Sequence, residues 1–258
     1  MAVPALVIGL GAGITLRGVV ETQVDDITCV EVSKNVQRAA GYFDDVNGGL
    51  LRNPAIRIAI MDGRTYLSSV PALYDVIIGD IFFPMSSGSG TVYSREFFTL
   101  CKKRLAPRGV YCQWLPLHQL SLEELRIAVA TFLSVFPDAQ LWYGMIGRDT
   151  PVIGCVACEG GPLPLDFEQL ARWYDDPVKT NVLRAIELGD PMVFLSNFIA
   201  ASPGAKAFSA GAVCSTDDKP VIEFLNPRDS DSFRERGEKN RKELQLIQQN
   251  IFETGIVR

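Results

Sequence analysis

Residues 5–31, ALVIGLGAGITLRGVVETQVDDITCVE, decide the fold: an apolar run of strand length, a glycine turn, a helical segment, a second apolar run and one closing carboxylate. A strand that ends in Gly9-Leu10-Gly11-Ala12-Gly13 has glycines where the backbone must turn sharply and let a ligand approach closely. Glu31 closes the second strand. In open α/β sheets the ligand lies beyond the carboxyl ends of the strands, and an acid about 20 residues past the turn can accept hydrogen bonds from ribose hydroxyls. The stretch therefore implies a nucleoside ligand held by Gly9, Gly11, Gly13 and Glu31. The spacing is G-x-G-x-G, and Ile14 occupies the position that completes the dinucleotide fingerprint, so an S-adenosyl-type ligand fits better than NAD.

The same pattern recurs downstream. Residues 56–60 read as a third strand that runs into Met61-Asp62-Gly63-Arg64, and YDVIIGD at 74–80 as a fourth that ends on Asp80. Three successive strands thus carry an acid at or just past the carboxyl end. Residues 81–91, IFFPMSSGSGT, have the composition of an active-site loop, with Phe82 and Phe83 either covering a ligand or packing the loop.

Strands alternating with helices predict an α/β fold with a doubly wound, mainly parallel seven-stranded sheet. Ser33 reads as an N-cap, and Ser121 with Glu124 as a capping box. Residues 42–54 read as a loop, 93–105 as an amphipathic helix, and 138–143 with 151–158 as a final antiparallel pair. Residues 1–160 form the cofactor-binding unit in this reading, and 161–258 a small helical extension packed on it. Within the extension, 166–211 read as short helices, Asp217 and Asp218 before Pro220 as turn residues, and VIEFL at 221–225 as a brief strand. Leu244, Ile247 and Ile251 recur at helical spacing.

Composition narrows the function. A chain of 258 residues with 47% hydrophobic content can bury a large core. A net charge of -5 argues against affinity built on neutralising phosphates, hence against a nucleic-acid partner. Six cysteines scattered through apolar segments suit a reducing, cytoplasmic setting. Cys155 and Cys158 form a lone C-x-x-C and His118 is the single histidine, so the expectation is packed thiols and no metal. No apolar run approaches the roughly 20 residues of a membrane helix. The first strand begins almost at Met1, which predicts a piece of a longer protein.

Several segments resemble the spermidine synthase (polyamine aminopropyltransferase) family of class I S-adenosylmethionine-type folds. They are VIGLGAG, VEVSKNV around Glu31, MDGRTYL around Asp62, YDVIIGDIFFP around Asp80, YSREFF from Tyr93 and GVYCQWLP around Gln113, and they cover residues 5 to about 120 in the family's order. TDDKPVIEFLNPR is similar to a bacterial subgroup often fused to membrane segments. The resemblance implies that Glu31 holds the ribose, Asp62 and Gly63 meet the adenine, Asp80 is the general base, and Gln113 and Tyr93 belong to the substrate side. It implies decarboxylated S-adenosylmethionine or S-adenosylmethionine as co-substrate, a small amine as acceptor, no metal, and an assembly such as a homodimer. Ala12 stands where family members commonly carry an acid, and Phe83 where the second acid of D-x-x-D-P stands. Methyl transfer and a non-catalytic nucleoside-binding domain therefore remain the alternatives.

Overall fold

The computed structural model describes residues 3–22, 24, 26–80, 88–144, 150–164, 166–225 and 232–254. Eight strands among them form one mixed sheet in the order β3-β2-β1-β4-β5-β7-β6-β8. Strands β1 (Pro4–Ile8), β2 (Asp26–Glu31), β3 (Ile56–Ile60), β4 (Tyr74–Gly79) and β5 (Leu105–Pro116) run parallel. Strand β7 (Val152–Cys158) is antiparallel to β5 and to β6 (Gln140–Gly144), and β8 (Phe198–Ala200) is antiparallel to β6. The sheet thus has one strand more than the seven the sequence predicts. Three residues inside a helical stretch give too short a run to show strand alternation.

Helices α1 (Ile14–Glu21), α2 (Lys34–Ala40) and α3 (Asp44–Asn47) lie between β1 and β3, α4 (Gly63–Ser69) between β3 and β4, and α5 (Arg95–Lys103) and α6 (Leu122–Val135) on either side of β5. Three more, α7 (Phe167–Asp175), α8 (Pro177–Ala185) and α9 (Pro191–Ser196), separate β7 from β8. After β8 come α10 (Ser202–Phe208), α11 (Val221–Leu225) and α12 (Phe233–Thr254).

Caps read from the sequence are formed. Ser33 Oγ accepts the N–H groups of Asn35 and Val36, and Ser121 and Glu124 satisfy each other's main-chain N–H groups in a capping box. The helix placed at 93–105 begins instead at Arg95, because Ser94 Oγ caps it by accepting Phe97 N–H, and residues 89–93 form a 3-10 turn. VIEFL is a helix and not a strand. Pro220 stands directly before its first residue, where a missing N–H costs nothing. The expected loop at 42–54 contains α3, and most of the expected active-site loop, residues 81–87 with Phe82 and Phe83, lies outside the described residues.

The pleat of β1 sends Ala5 and Val7 to one face, against Leu16 and Val19 of α1, and Leu6 and Ile8 to the other. That second face is the larger core, where Phe98, Tyr111 and Phe132 pack with rings 5.2 to 6.1 Å apart. Leu244 of α12 and Phe208 of α10 are buried in the same cluster. No described helix is long and apolar enough to cross a membrane.

Candidate active site

The chain reverses direction across the sheet between β1 and β4, which opens a crevice at their carboxyl ends. Main-chain hydrogen bonds fix the tips in one row: Asp80 N–H donates to Ile8 O at 2.8 Å, Gly9 N–H to Val30 O at 2.8 Å and Met61 N–H to Glu31 O at 3.0 Å. With neighbouring strands about 4.8 Å apart, Asp80, Gly9, Glu31 and Met61 form a ledge about 15 Å long. Asp80, Glu31 and Asp62 thus sit at or just past three strand ends along this ledge.

The glycine turn is held from both sides. Gly9, Gly11 and Gly13 have φ of 102, 52 and 85°, in the left-handed region that side chains disfavour. A Cβ on Gly13 would collide with Leu50 Cδ2, whereas one on Gly11 would meet open space. Gly13 must therefore be glycine for both packing and conformation, while the side chain missing at Gly11 leaves the backbone bare toward the crevice. Asn47, buried in α3, donates through Nδ2 to Ala12 O at 2.9 Å and to Ala40 O at 2.8 Å, and accepts Gly49 N–H at 2.9 Å. Asn47 was missed by sequence reasoning. The Asn-Gly-Gly run at 47–49 was the available signal, since such runs mark turns that side-chain amides stabilise.

Glu31 is 7% exposed, and its two oxygens accept Leu10 N–H at 3.0 Å and Ser33 N–H at 2.8 Å. A carboxylate offers about four acceptor positions, so two remain for a ligand's hydroxyls. Asp62 is exposed and caps α4, with Oδ1 accepting Thr65 N–H at 2.8 Å and Thr65 Oγ1–H at 3.0 Å. Behind it, a Cβ on Gly63 would come within 2.6 Å of Ile8 Cγ2, so glycine lets α4 start tight against β1.

Asp80 is unlike the other two. Burial pushes its carboxyl up to about 6, against a smaller opposing effect of a hydrogen bond from the Thr15 side chain. Its Oδ1 is buried with no hydrogen-bond partner among the described residues. Nearby thiols carry no charge. Burial, with added repulsion from Glu31 and Asp80, pushes Cys29 up to about 12, and burial with repulsion from Asp80 does the same to Cys112.

Tyr93 and Gln113 lie below the tips, completely buried. Burial raises the Tyr93 hydroxyl, and the charge of Asp80 adds to the effect. Gln113 pairs in register with Gly79, one residue before Asp80. Its amide donates to Gly79 O at 3.3 Å and Trp114 O at 3.1 Å, and its Oε1 accepts Tyr111 O–H at 2.6 Å. Both amide hydrogens are therefore taken by main-chain carbonyls.

Asp217 does more than form the expected turn. It clamps the Arg64 guanidinium with both oxygens, at 2.5 and 2.8 Å, and accepts Ser94 Oγ–H at 2.6 Å. The hydrogen bonds from Arg64 and Ser94 lower the pKa of this carboxyl. A cavity of about 970 Å3 lined by Ser121, Arg126, Val213 and Lys239, among others, shares no residue with the strand tips. Among the described residues no group of three or more His, Cys, Asp or Glu side chains could hold a metal ion.

Residues 3–147 match the profile of the spermine/spermidine synthase domain. The chain is 32% identical over 188 residues to a polyamine aminopropyltransferase of Korarchaeum cryptofilum, covering 67% of this chain and 55% of that protein. It is 25% identical over 219 residues to polyamine aminopropyltransferase 2 of Hyperthermus butylicus, covering 84% and 71%. The chain thus spans about half the length of the first relative. Spermidine synthase from Thermotoga maritima superposes with a TM-score of 0.62 at 22% identity, covering 81% of this chain and 68% of that one. Human methyltransferase-like protein 13 in complex with SAH superposes at 0.52 with 20% identity, covering 72% and 83%. At such identities the structural likeness speaks to the fold alone.

Proposed function

Because the chain belongs to the spermine/spermidine synthase domain family, we propose that it is an aminopropyltransferase domain acting on an amine and decarboxylated S-adenosylmethionine. The observation that carries this reading is the buried Asp80 Oδ1 at the β4 tip, which has no hydrogen-bond partner among the described residues and follows the strand paired with the one that ends in the glycine turn braced by Glu31. The ribose diol lies on the free acceptor positions of Glu31, the adenine reaches Asp62 and Gly63 at the β3 end, and the sulfonium with its aminopropyl arm lies toward Asp80. Tyr93 and Gln113 form the floor on the substrate side.

The acceptor arrives as an ammonium ion and has no lone pair until it loses a proton. Asp80 binds the cation and takes that proton. The freed nitrogen attacks the carbon next to sulfur, the C–S bond breaks with its electron pair going to sulfur, and neutral methylthioadenosine leaves while the positive charge passes to nitrogen. Burial of Asp80 matters to this step. Moving a proton from an amine of pKa about 10 to a carboxyl of ordinary pKa is uphill by about 8 kcal/mol, whereas a carboxyl near 6 reduces this to about 5 kcal/mol.

Aminopropyl transfer is favoured over methyl transfer by the names of the sequence relatives, since the methyltransferase-like neighbour shares the fold alone. Incubation with decarboxylated S-adenosylmethionine and putrescine or spermidine should release methylthioadenosine, and S-adenosylmethionine should support no methyl transfer to the same amines. Binding of the donor without any release would remove the reading.

A further inference from the structure

We infer that Asn47 is a positioning residue for the nucleoside ligand. It pins the Ala12–Gly13 peptide of the glycine turn, which holds the Gly11 and Ala12 N–H groups ready for acceptor atoms of the bound nucleoside. The role rests on the reading of that turn as an adenosyl site.

A turn flanked by left-handed glycines is easily deformed. Gly11 and Gly13 stand on either side of Ala12, and glycine passes between backbone states that other residues cannot reach. A ligand that meets such a turn must order it on binding, at a cost in affinity, unless the fold has ordered it already. Two hydrogen bonds do so. Gly13 N–H donates to Leu10 O at 2.8 Å, and Asn47 Nδ2 donates to Ala12 O at 2.9 Å. The Ala12 carbonyl and the Gly13 N–H belong to one peptide plane, so that plane is held at both ends, one of them by a residue 35 positions along the chain. Glu31 takes the Leu10 N–H on the other side. Between these anchors the N–H groups of Gly11 and Ala12 donate to no other group among the described residues, and Gly11 is exposed.

Asn47 can pin the turn because it is itself fixed. It is 2% exposed, its second amide hydrogen goes to Ala40 O at 2.8 Å at the end of α2, and its Oδ1 accepts Gly49 N–H at 2.9 Å, two residues on, in an Asx-turn. A Cβ on Gly13 would lie 3.3 Å from Asn47 Cβ, so the two residues pack against each other as well. From α1, the helix that follows the turn, Arg17 Nη1 donates to Val46 O at 2.7 Å and grips the residue before Asn47. One side chain thus has two separable tasks. The Asx-turn orders residues 47–49 alone, whereas the bond to Ala12 O acts on the ligand turn.

Asn47→Ser separates these tasks in the full chain, since a serine hydroxyl accepts the same N–H two residues on but has one hydrogen and too short a reach for both Ala12 O and Ala40 O. Thr131→Val, which strips Ser215 N–H of its buried acceptor in α6, controls for lost stability away from the turn. The readouts are the calorimetric Kd for methylthioadenosine and amide hydrogen exchange at Gly13, the N–H of the pinned peptide. Asn47→Ser should weaken binding by about fivefold and accelerate exchange at Gly13 by a similar factor relative to Ile77 in the centre of β4. KM for the adenosyl donor should rise with Kd, while kcat and KM for the amine hold. Thr131→Val should change none of these. If Asn47→Ser does not fold, Arg17→Met decides in its place: it releases Val46 O from a partly exposed position and should weaken binding by about twofold. An unchanged Kd in the deciding variant, or an equal loss in Thr131→Val, overturns the proposal. If the wild type binds no methylthioadenosine, the adenosyl reading falls, and exchange at Gly13 alone decides whether Asn47 pins the turn: faster exchange upholds the pin and unchanged exchange overturns it.

Discussion

Glu31 Oε2 accepts the Leu10 main-chain N–H at 3.0 Å, so the acid that closes β2 also holds the glycine turn that follows β1. Ligand site and turn therefore share one carboxylate. A charge-assisted bond to a buried group contributes about 1.5–3 kcal/mol, and Glu31→Gln should lose most of one such bond. Amide exchange at Leu10 and Ser33 should accelerate in that variant while exchange in the middle of β4 follows only the global change. Equal protection at Leu10 in both proteins would show that the turn stands without Glu31.

Asp80 should weaken the fold it serves. Its carboxyl titrates near 6 in the folded chain and near 3.8 when exposed, so the folded state favours the protonated form. The resulting stabilisation is fully present below pH 3.8 and is lost as pH rises through 6. Asp80→Asn should therefore be more stable than wild type at pH 8, by up to about 3 kcal/mol, and nearly equal at pH 3.8. Paired urea titrations at the two pH values read the difference, and activity should vanish in the same variant.

Two glycines should respond in opposite directions to alanine. At Gly63 the added Cβ would press on the stiff, buried Ile8 side chain at 2.6 Å, and overpacking of this kind costs about 1–3 kcal/mol. At Gly18, inside α1, nothing lies within 4 Å, so alanine should add about 0.5–1 kcal/mol through helix propensity alone. Chemical denaturation of both variants distinguishes a crowded helix start from an open helix face.

What could be read in the sequence was what local chemistry dictates. The turn glycines, the strand-end acids, the Ser33 cap and the Ser121–Glu124 box each declare themselves within a few residues. The parts that escaped depend on distant partners. Asp217 looks like a turn residue until Arg64, 153 positions away, is found on it. Glu223 sits within an apolar pentapeptide whose period cannot separate helix from strand, and only the fold brings it to Gly88 and Gly90. Strand β8 exists because β6 offers it an edge, which no three-residue run announces. Gln113 falls within a segment that resembles the family, but its amide faces Gly79 O and Trp114 O, an orientation set by the missing side chain at Gly79.

The most direct measurement is calorimetric titration of methylthioadenosine into the wild-type chain, Glu31→Ala and Asp80→Asn. If strand-tip acids hold an adenosyl group beside a base, wild type and Asp80→Asn should each bind one equivalent with similar affinity, and Glu31→Ala should bind at least tenfold more weakly. Absence of binding to the wild type, or equal binding to Glu31→Ala, would contradict the account.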